Sequence, residues 1–176
     1  MAMRGRIILR AAEGVANAYA TVQSGGLHCA VHLIASSTAA GLAAVPRCQR
    51  VFRPDVVAET NQALRSVVDA GTGRRASLPG LIVVGKTGTA QGNLSAWFAG
   101  STGDLTAVAV VVGSKQRPLR NIAGLSEVTG SSLPTDLWRA FVNASLTPPQ
   151  SGRSPGAGAR NRPGSSLRVA VRGKRG

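Results

Sequence analysis

The chain has 176 residues, 43% of them apolar but only 3% aromatic, so one domain with a core built from Ala, Val and Leu is expected. No apolar run approaches the roughly 18 residues a membrane-spanning helix needs, and Ile7–Leu9 is too short for the core of a signal peptide. The formal net charge of +14 is uneven: residues 151–176 hold seven of the 21 basic residues and none of the seven acidic ones.

The pattern predicts a helix over 11–24, with Val15, Tyr19 and Val22 on one face and Gly25 and Gly26 as its stop. Residues 27–53 are ambiguous: Leu27–Leu33 suits a strand, and Ser36–Pro46 suits a loop or a hairpin tip of small residues. A second helix is predicted over 54–70. Pro54 fits its first turn, Asp55 suits the positive end of the helix dipole, and Val57, Leu64 and Val68 share a face. Gly71, Thr72 and Gly73 end it, and Arg74–Pro79 reads as a polar connector.

Three strands follow. Leu81–Val84 lacks alternation and reads as a strand buried on both faces. Ser95–Gly100 and Leu105–Val112, joined by the turn Thr102–Asp104, read as an antiparallel hairpin in which Trp97 and Phe98 are packing residues. Residues 119–132 read as loop. Residues 134–145 read as a last helix with Leu137, Phe141 and Ala144 on its apolar side. The order of elements makes an α+β fold, an antiparallel sheet with packed helices. From residue 147 to 176, Pro, Gly, Ser and Arg dominate, and the segment reads as a disordered basic tail. It carries no aromatics for base stacking, so a specific nucleic-acid interface is not expected. A charge-driven contact with nucleic acid or anionic lipid is the alternative.

The chemically informative stretch is Gly85-Lys86-Thr87-Gly88-Thr89. Gly80, four residues, then Gly85-Lys86-Thr87 satisfies the phosphate-binding P-loop pattern. A P-loop, however, needs a loop between the glycines and a helix opening at the lysine, so that backbone N–H groups and the helix dipole face the anion. Leu81–Val84 favours a strand, and Thr87–Asn93 with two glycines is a poor helix start. The second reading is a K-T-G box at the end of a strand that lines a groove. There the lysine supplies positive charge, the hydroxyls bond a carboxylate, and the glycine lets a substrate backbone lie alongside.

The wider sequence resembles the transpeptidase domain of penicillin-binding proteins, in the style of the bifunctional members, within the serine β-lactamase and transpeptidase superfamily. The resemblance is carried by Ala16-Asn17-Ala18-Tyr19-Ala20-Thr21 with Gly25 and Gly26, by Leu64–Gly73, and by Lys86–Thr89 with Ala96, Trp97, Phe98 and Gly100. Gly130, Leu133, Pro134 and Trp138 complete it, so that it covers about residues 15–146. It implies a β-lactamase-like fold, a C-terminal domain portion over 11–146, and binding of peptidoglycan stem peptides and β-lactams without a cofactor. By resemblance Lys86 orients the substrate carboxylate, Thr87 and Thr89 bond it beside Gly88, and the Thr89 N–H supplies half of an oxyanion hole. Asn93 is placed at the border of the groove.

The sequence departs from the family in two respects. No serine has a lysine three places later, and no S-x-N triplet occurs. The nucleophile with its base, and the proton relay, are therefore not found in this sequence, and a chain inactive by itself is expected. Both boxes belong upstream of the helix near residue 11, and residues 1–10 carry none of the resemblance. A truncated gene, a misplaced start or a separately encoded half, with the N-terminal half as partner, all fit. The family acts at the outer face of the bacterial membrane; without an export signal, this chain is expected in the cytoplasm if its start is genuine.

Cys29 and Cys48 fit no zinc spacing. By resemblance they form a pair, and the sequence leaves its redox state open. His28 and His32 lie four apart with no third ligand type near, so no metal site is expected.

Overall fold

The computed structural model describes residues 2–31, 36–37, 42–43, 47–113, 117–146 and 166–167. His32 and most of residues 147–176 lie outside the described residues.

Helix α1 spans Ala2–Gln23, starting nine residues before the predicted position. Its first turns leave Ile7 64% and Leu9 41% exposed, so they continue the helix without adding a buried face for a periodicity reading to detect. The buried face comes from Ala12 and Ala16, with Val15 and Tyr19 half-buried beside them. Two alanines one turn apart let the helix axis approach the sheet closely. The helix stops where Gly25 and Gly26 take positive φ of 74° and 91° and Gly26 N–H returns to Thr21 O at 2.9 Å.

Strands β1 (Leu27–Cys29) and β4 (Cys48–Arg50) pair antiparallel, and the two-residue strands β2 (Ser36–Ser37) and β3 (Leu42–Ala43) pair within the connection between them. The ambiguous segment is thus a hairpin whose first strand is shorter than the span to Leu33. Its register sets Cys29 opposite Cys48, and the two are disulfide-bonded. Helix α2 spans Pro54–Asp69, with Pro54 at its start, Asp55 in its first turn, and Val57 and Val68 buried.

The connector after α2 is less polar in effect than in composition: Ala76 and Leu78 are buried. The predicted strand Leu81–Val84 is displaced. Leu81 and Ile82 are 44% and 63% exposed, and the strand, β5, runs Val84–Thr89. The cause is local. Leu78-Pro79-Gly80-Leu81 forms a turn closed by Leu81 N–H to Leu78 O, with Gly80 at φ 76° as a type II turn requires. Pairing then begins only where the neighbouring strand offers a partner, at Val84 opposite Ser101.

Strand β6 (Ser95–Ser101) pairs antiparallel with β5 and with β7 (Leu105–Val112). Residues 119–132, read as loop, contain a hairpin of β8 (Arg120–Ile122) and β9 (Leu125–Glu127). Three-residue arms are too short to show alternation. The hairpin is pinned by Leu119 and Val128, buried against Ala96, with Val128 N–H donating to Leu119 O at 2.9 Å.

Helix α3 spans Leu133–Leu146. Its buried face is Pro134, Thr135, Trp138 and Val142, with Phe141 half-buried against the core as the sequence reading has it, whereas Leu137 is 41% exposed and Ala144 faces solvent, contrary to that reading. The indole decides the orientation. Trp138 stacks edge-on against Phe98 at 5.2 Å, and its N–H donates to Ala107 O at 3.0 Å. The last described element, β10 (Ser166–Leu167), lies parallel to β7 within the segment read as disordered, and gives the main sheet the order β10-β7-β6-β5.

The core has two layers. On one face of the sheet α1 covers Trp97, Ala99, Val108 and Val110. On the other, α2 and α3 enclose Phe98, Leu105 and Ala107. This places β5 at the end of the sheet with α2 beside it and, among the described residues, no strand on its outer edge.

Candidate functional site

Strand β5 holds Lys86, Thr87, Gly88 and Thr89 on six consecutive paired residues, from Val84 opposite Ser101 to Thr89 opposite Ala96. The box therefore lies within the strand rather than after it. Gly85 is required by packing: a Cβ there would meet Ala99 O and Phe98 Cζ, each at 2.7 Å. The strand stays extended through the lysine, and only a single 3-10 turn, Gln91–Asn93, follows. A phosphate loop needs a helix opening at Lys86, so the geometry of the P-loop reading is absent.

Alternation along β5 sends Lys86 to the α1 face and Thr87 and Thr89 to the other. The open edge brings them back together. Lys86 Nζ donates to Thr87 O at 2.9 Å and lies 3.5 Å from Thr87 Oγ1. Among the described residues no carboxylate pairs with Lys86, which leaves its charge available to an anion. Thr87 Oγ1 is 2.7 Å from Thr72 Oγ1, on the loop that ends α2. Thr89 Oγ1 accepts from Gly130 N–H at 3.0 Å. In turn Thr135 Oγ1 donates to Gly130 O at 2.6 Å, tying the strand to the first turn of α3.

Sequence reasoning missed Thr72 as a partner of the box and noted Gly130 only as part of a resemblance. Gly130 packs so closely that a Cβ would fall 2.5 Å from Gly88 O and 2.7 Å from Gly88 N. Two glycines facing each other at this distance leave one fixed position for the strand backbone. The signal for Thr72 was its place between Gly71 and Gly73, where a side chain is flanked by bare backbone.

Asn93 lies past the strand, at φ 55°. Its N–H donates to Ala90 O at 2.9 Å, its O accepts from Leu119 N–H at 2.8 Å, and its Nδ2 donates to Leu119 O at 3.3 Å. These bonds fix the turn against the start of β8. Cys29 and Cys48 sit on the separate β1–β4 hairpin, and His28 bonds Asn17 there at 3.0 Å. A shallow cleft of about 340 Å³ opens on the Lys86 face, where Gln23 of α1 meets Asn61 and Arg65 of α2 over Ile82 and Val84.

An antiparallel sheet packed between helices, with a K-T-G-T strand along its open edge, defines a protein of the β-lactamase-like fold shared by penicillin-binding transpeptidases. The sequence pattern of the penicillin binding protein transpeptidase domain matches residues 11–127. The chain belongs to this family.

The chain is 31% identical over 112 residues to penicillin-binding protein 1B of Escherichia coli K12, a match covering 60% of this chain and 13% of that one. Over 56 residues it is 45% identical to penicillin-binding protein 1A of Aquifex aeolicus VF5, covering 32% of this chain and 8% of that one. It superposes on the penicillin-binding protein PonA1 of Mycobacterium tuberculosis with a TM-score of 0.62 at 24% identity, covering 80% of this chain and 40% of that one. With the imipenem acyl-enzyme of penicillin-binding protein A from the same organism the TM-score is 0.56 at 25% identity, covering 75% and 30%. The chain thus spans at most 40% of the length of these proteins. The family's work is on peptidoglycan in the cell envelope. Among the described residues no helix is long and apolar enough to cross a membrane.

Proposed function

We propose that this chain supplies one wall of a D,D-transpeptidase active site, the wall that receives the carboxylate end of a peptidoglycan stem peptide or of a β-lactam. The observation that carries the reading is the β5 edge, where Lys86 Nζ and Thr87 Oγ1 converge on a strand edge that has no partner strand among the described residues. An extended peptide lying along β5 gains main-chain hydrogen bonds from the strand. Its terminal carboxylate is held by the Lys86 charge and the threonine hydroxyls. By the family resemblance, the Thr89 N–H supplies half of the oxyanion hole in this reading.

Acyl transfer needs more than this wall. The serine of an S-x-x-K box must attack the D-Ala-D-Ala carbonyl while its lysine takes the hydroxyl proton, and an S-x-N box must relay protons to the leaving group. Neither box occurs in the sequence, so this chain alone neither cross-links peptides nor is acylated by penicillin. The partner that completes the site is a polypeptide segment carrying both boxes. The cellular place of action follows that assembly, at the outer face of the membrane. Asn93 serves the site indirectly, by fixing the turn that follows β5.

The test is labelling by a fluorescent penicillin. The purified chain should give no covalent band, and a mixture with the S-x-x-K and S-x-N segment of a related transpeptidase should give one that weakens on the order of 100-fold with Lys86→Ala. A covalent band on the chain alone, or labelling of the mixture indifferent to Lys86, would overturn the proposal.

A further inference from the structure

The hairpin between α1 and α2 depends heavily on its disulfide. Strands β1 and β4, three residues each, form a sheet of their own. A two-stranded ribbon of that length is marginal in water without further support. Side chains anchor its base: Ser24 Oγ donates to Leu27 O at 2.7 Å, and Arg50 Nη1 donates to Gly25 O at 2.5 Å. The Cys29–Cys48 bridge secures the far end. Ala30 N–H donates to Arg47 O at 3.0 Å and Val51 N–H to Gly26 O at 2.9 Å, on either side of the register that sets Cys29 opposite Cys48. Alternation along the ladder makes the two cysteines a non-hydrogen-bonded pair, so the bridge joins positions that main-chain bonds leave untied.

Its surroundings suit thiol chemistry. Cys48 is exposed and Cys29 half-buried, which opens one side of the bridge to a reactant. Arg47 and Arg50 flank Cys48, and both are exposed. The sequence holds no acidic residue between Glu13 and Asp55, and Asp55 itself is bonded to Arg53 at 3.0 Å. Positive charge favours thiolate over thiol, so it stabilises an attacking thiolate and a departing one alike.

We propose that the bridge is an electropositive thiol–disulfide exchange site for a dithiol reductant, and that it opens and closes while the main sheet stays folded. A thiolate of the reductant attacks Cys48 Sγ. The bond between the two Sγ atoms breaks, a mixed disulfide forms on Cys48, and the electron pair leaves with Cys29 as a thiolate that takes a proton from water. The second thiolate of the reductant then attacks the reductant's sulfur in the mixed disulfide. Cys48 leaves as a thiolate, is protonated, and the reductant departs as a disulfide. Two electrons have passed to the cysteine pair. The hairpin then lacks its clasp, and the surface between α1 and α2 differs with redox state. The inference does not depend on the transpeptidase reading, because this hairpin is a separate sheet from the strand that carries Lys86.

The experiment traps the intermediate on the full-length, oxidised chain in native buffer. The probe is a C-x-x-C dithiol protein whose second cysteine is replaced by serine. Peptide mass mapping should find the mixed disulfide on Cys48 and a free thiol at Cys29. The same adduct should form about tenfold more slowly on the variant Arg47→Glu at low ionic strength, with salt narrowing the difference. After reduction by the intact dithiol protein, NMR shift changes should be confined to residues 24–53 and the β5–β7 amides should stay protected. An adduct on Cys29, or equal rates for the parent and Arg47→Glu, would overturn the site. A bridge reduced only after urea unfolding, or reduction that strips protection from β5–β7, would overturn the exchange in the folded protein.

Discussion

The amide of Gly130 donates a hydrogen bond to Thr89 Oγ1 at 3.0 Å, so the loop before α3 holds the last residue of the K-T-G-T strand. The same glycine stands against the Gly88 backbone with no space for a methyl group. Position and orientation of the box are thus set from outside the strand, by a residue 41 positions later in sequence.

Replacing Gly130 tests this control. Gly130→Ala places a Cβ within 2.5 Å of Gly88 O, so β5 or the loop must shift. Overpacking of this kind costs roughly 1–3 kcal/mol. Urea unfolding should show the loss, and NMR should show the largest shift changes at Gly88 and Thr89. Unchanged stability together with changes confined to the 129–132 loop would mean that the loop yields and the strand is not held by it.

The disulfide joins directly opposed positions on β1 and β4, closing a loop between residues 19 apart in sequence. Restricting the unfolded chain by a loop of that size is worth about 3 kcal/mol on the loop-entropy account. Cys29→Ser/Cys48→Ser, or reduction of the parent, should lower the unfolding midpoint without moving the amide shifts of β5–β7, because the hairpin is separate from the main sheet. An identical midpoint for oxidised and reduced protein would show that the unfolded state is not restrained by the bridge.

How far the sequence carried the fold can be judged from particular elements. Helix α2 and strand β7 lie where pattern placed them, because each has a clean apolar period and a local stop: Gly71–Gly73 after one, Gly103 before the other. The beginning of β5 was misplaced because an apolar run does not reveal whether a partner strand exists opposite it. Leu81 and Ile82 have strand composition, yet they emerge from a Pro79-Gly80 turn before β6 can pair with them. The buried face of α3 was misjudged because three helical positions can be joined in more than one way. Trp138, the largest side chain on the helix, had to be buried, and that rotated Leu137 outward. At the site the residue types were legible from the K-T-G-T motif, whereas Thr72 and Gly130 were not. Their contacts join segments 15 and 41 residues apart, and no local pattern encodes such distances.

Tyr19 gives the fold a pH limit. Partial burial between α1 and the sheet raises the phenol above its ordinary value of 10.0, because the phenolate loses hydration there. The neutral form is therefore favoured in the folded state, and the associated stability is fully present below pH 10. Above that pH the unfolded chain loses its proton first, so stability falls as pH rises through the higher folded value. Denaturation followed between pH 9 and pH 12 should show this decline, and Tyr19→Phe should flatten it. A decline of equal slope in Tyr19→Phe would assign it to other groups.

Thr72 is the residue through which α2 acts on the box. Its hydroxyl lies 2.7 Å from Thr87 Oγ1, and Lys86 Nζ lies 3.5 Å from the same oxygen. If Thr87 Oγ1 bonds a substrate carboxylate, it must donate its proton outward, and Thr72 can hold it so by donating its own proton inward. Thr72→Val removes that donor while keeping the shape of the side chain. In the assembly completed by an S-x-x-K segment, acylation by penicillin should slow about tenfold, the worth of one hydrogen bond at ~1.4 kcal/mol. Thr72→Ser should restore the rate. A structural role alone would move both variants together, and the χ1 population of Thr87 would then stay as in the parent. A positioning role predicts that this population broadens in Thr72→Val and recovers in Thr72→Ser, with the rate following it.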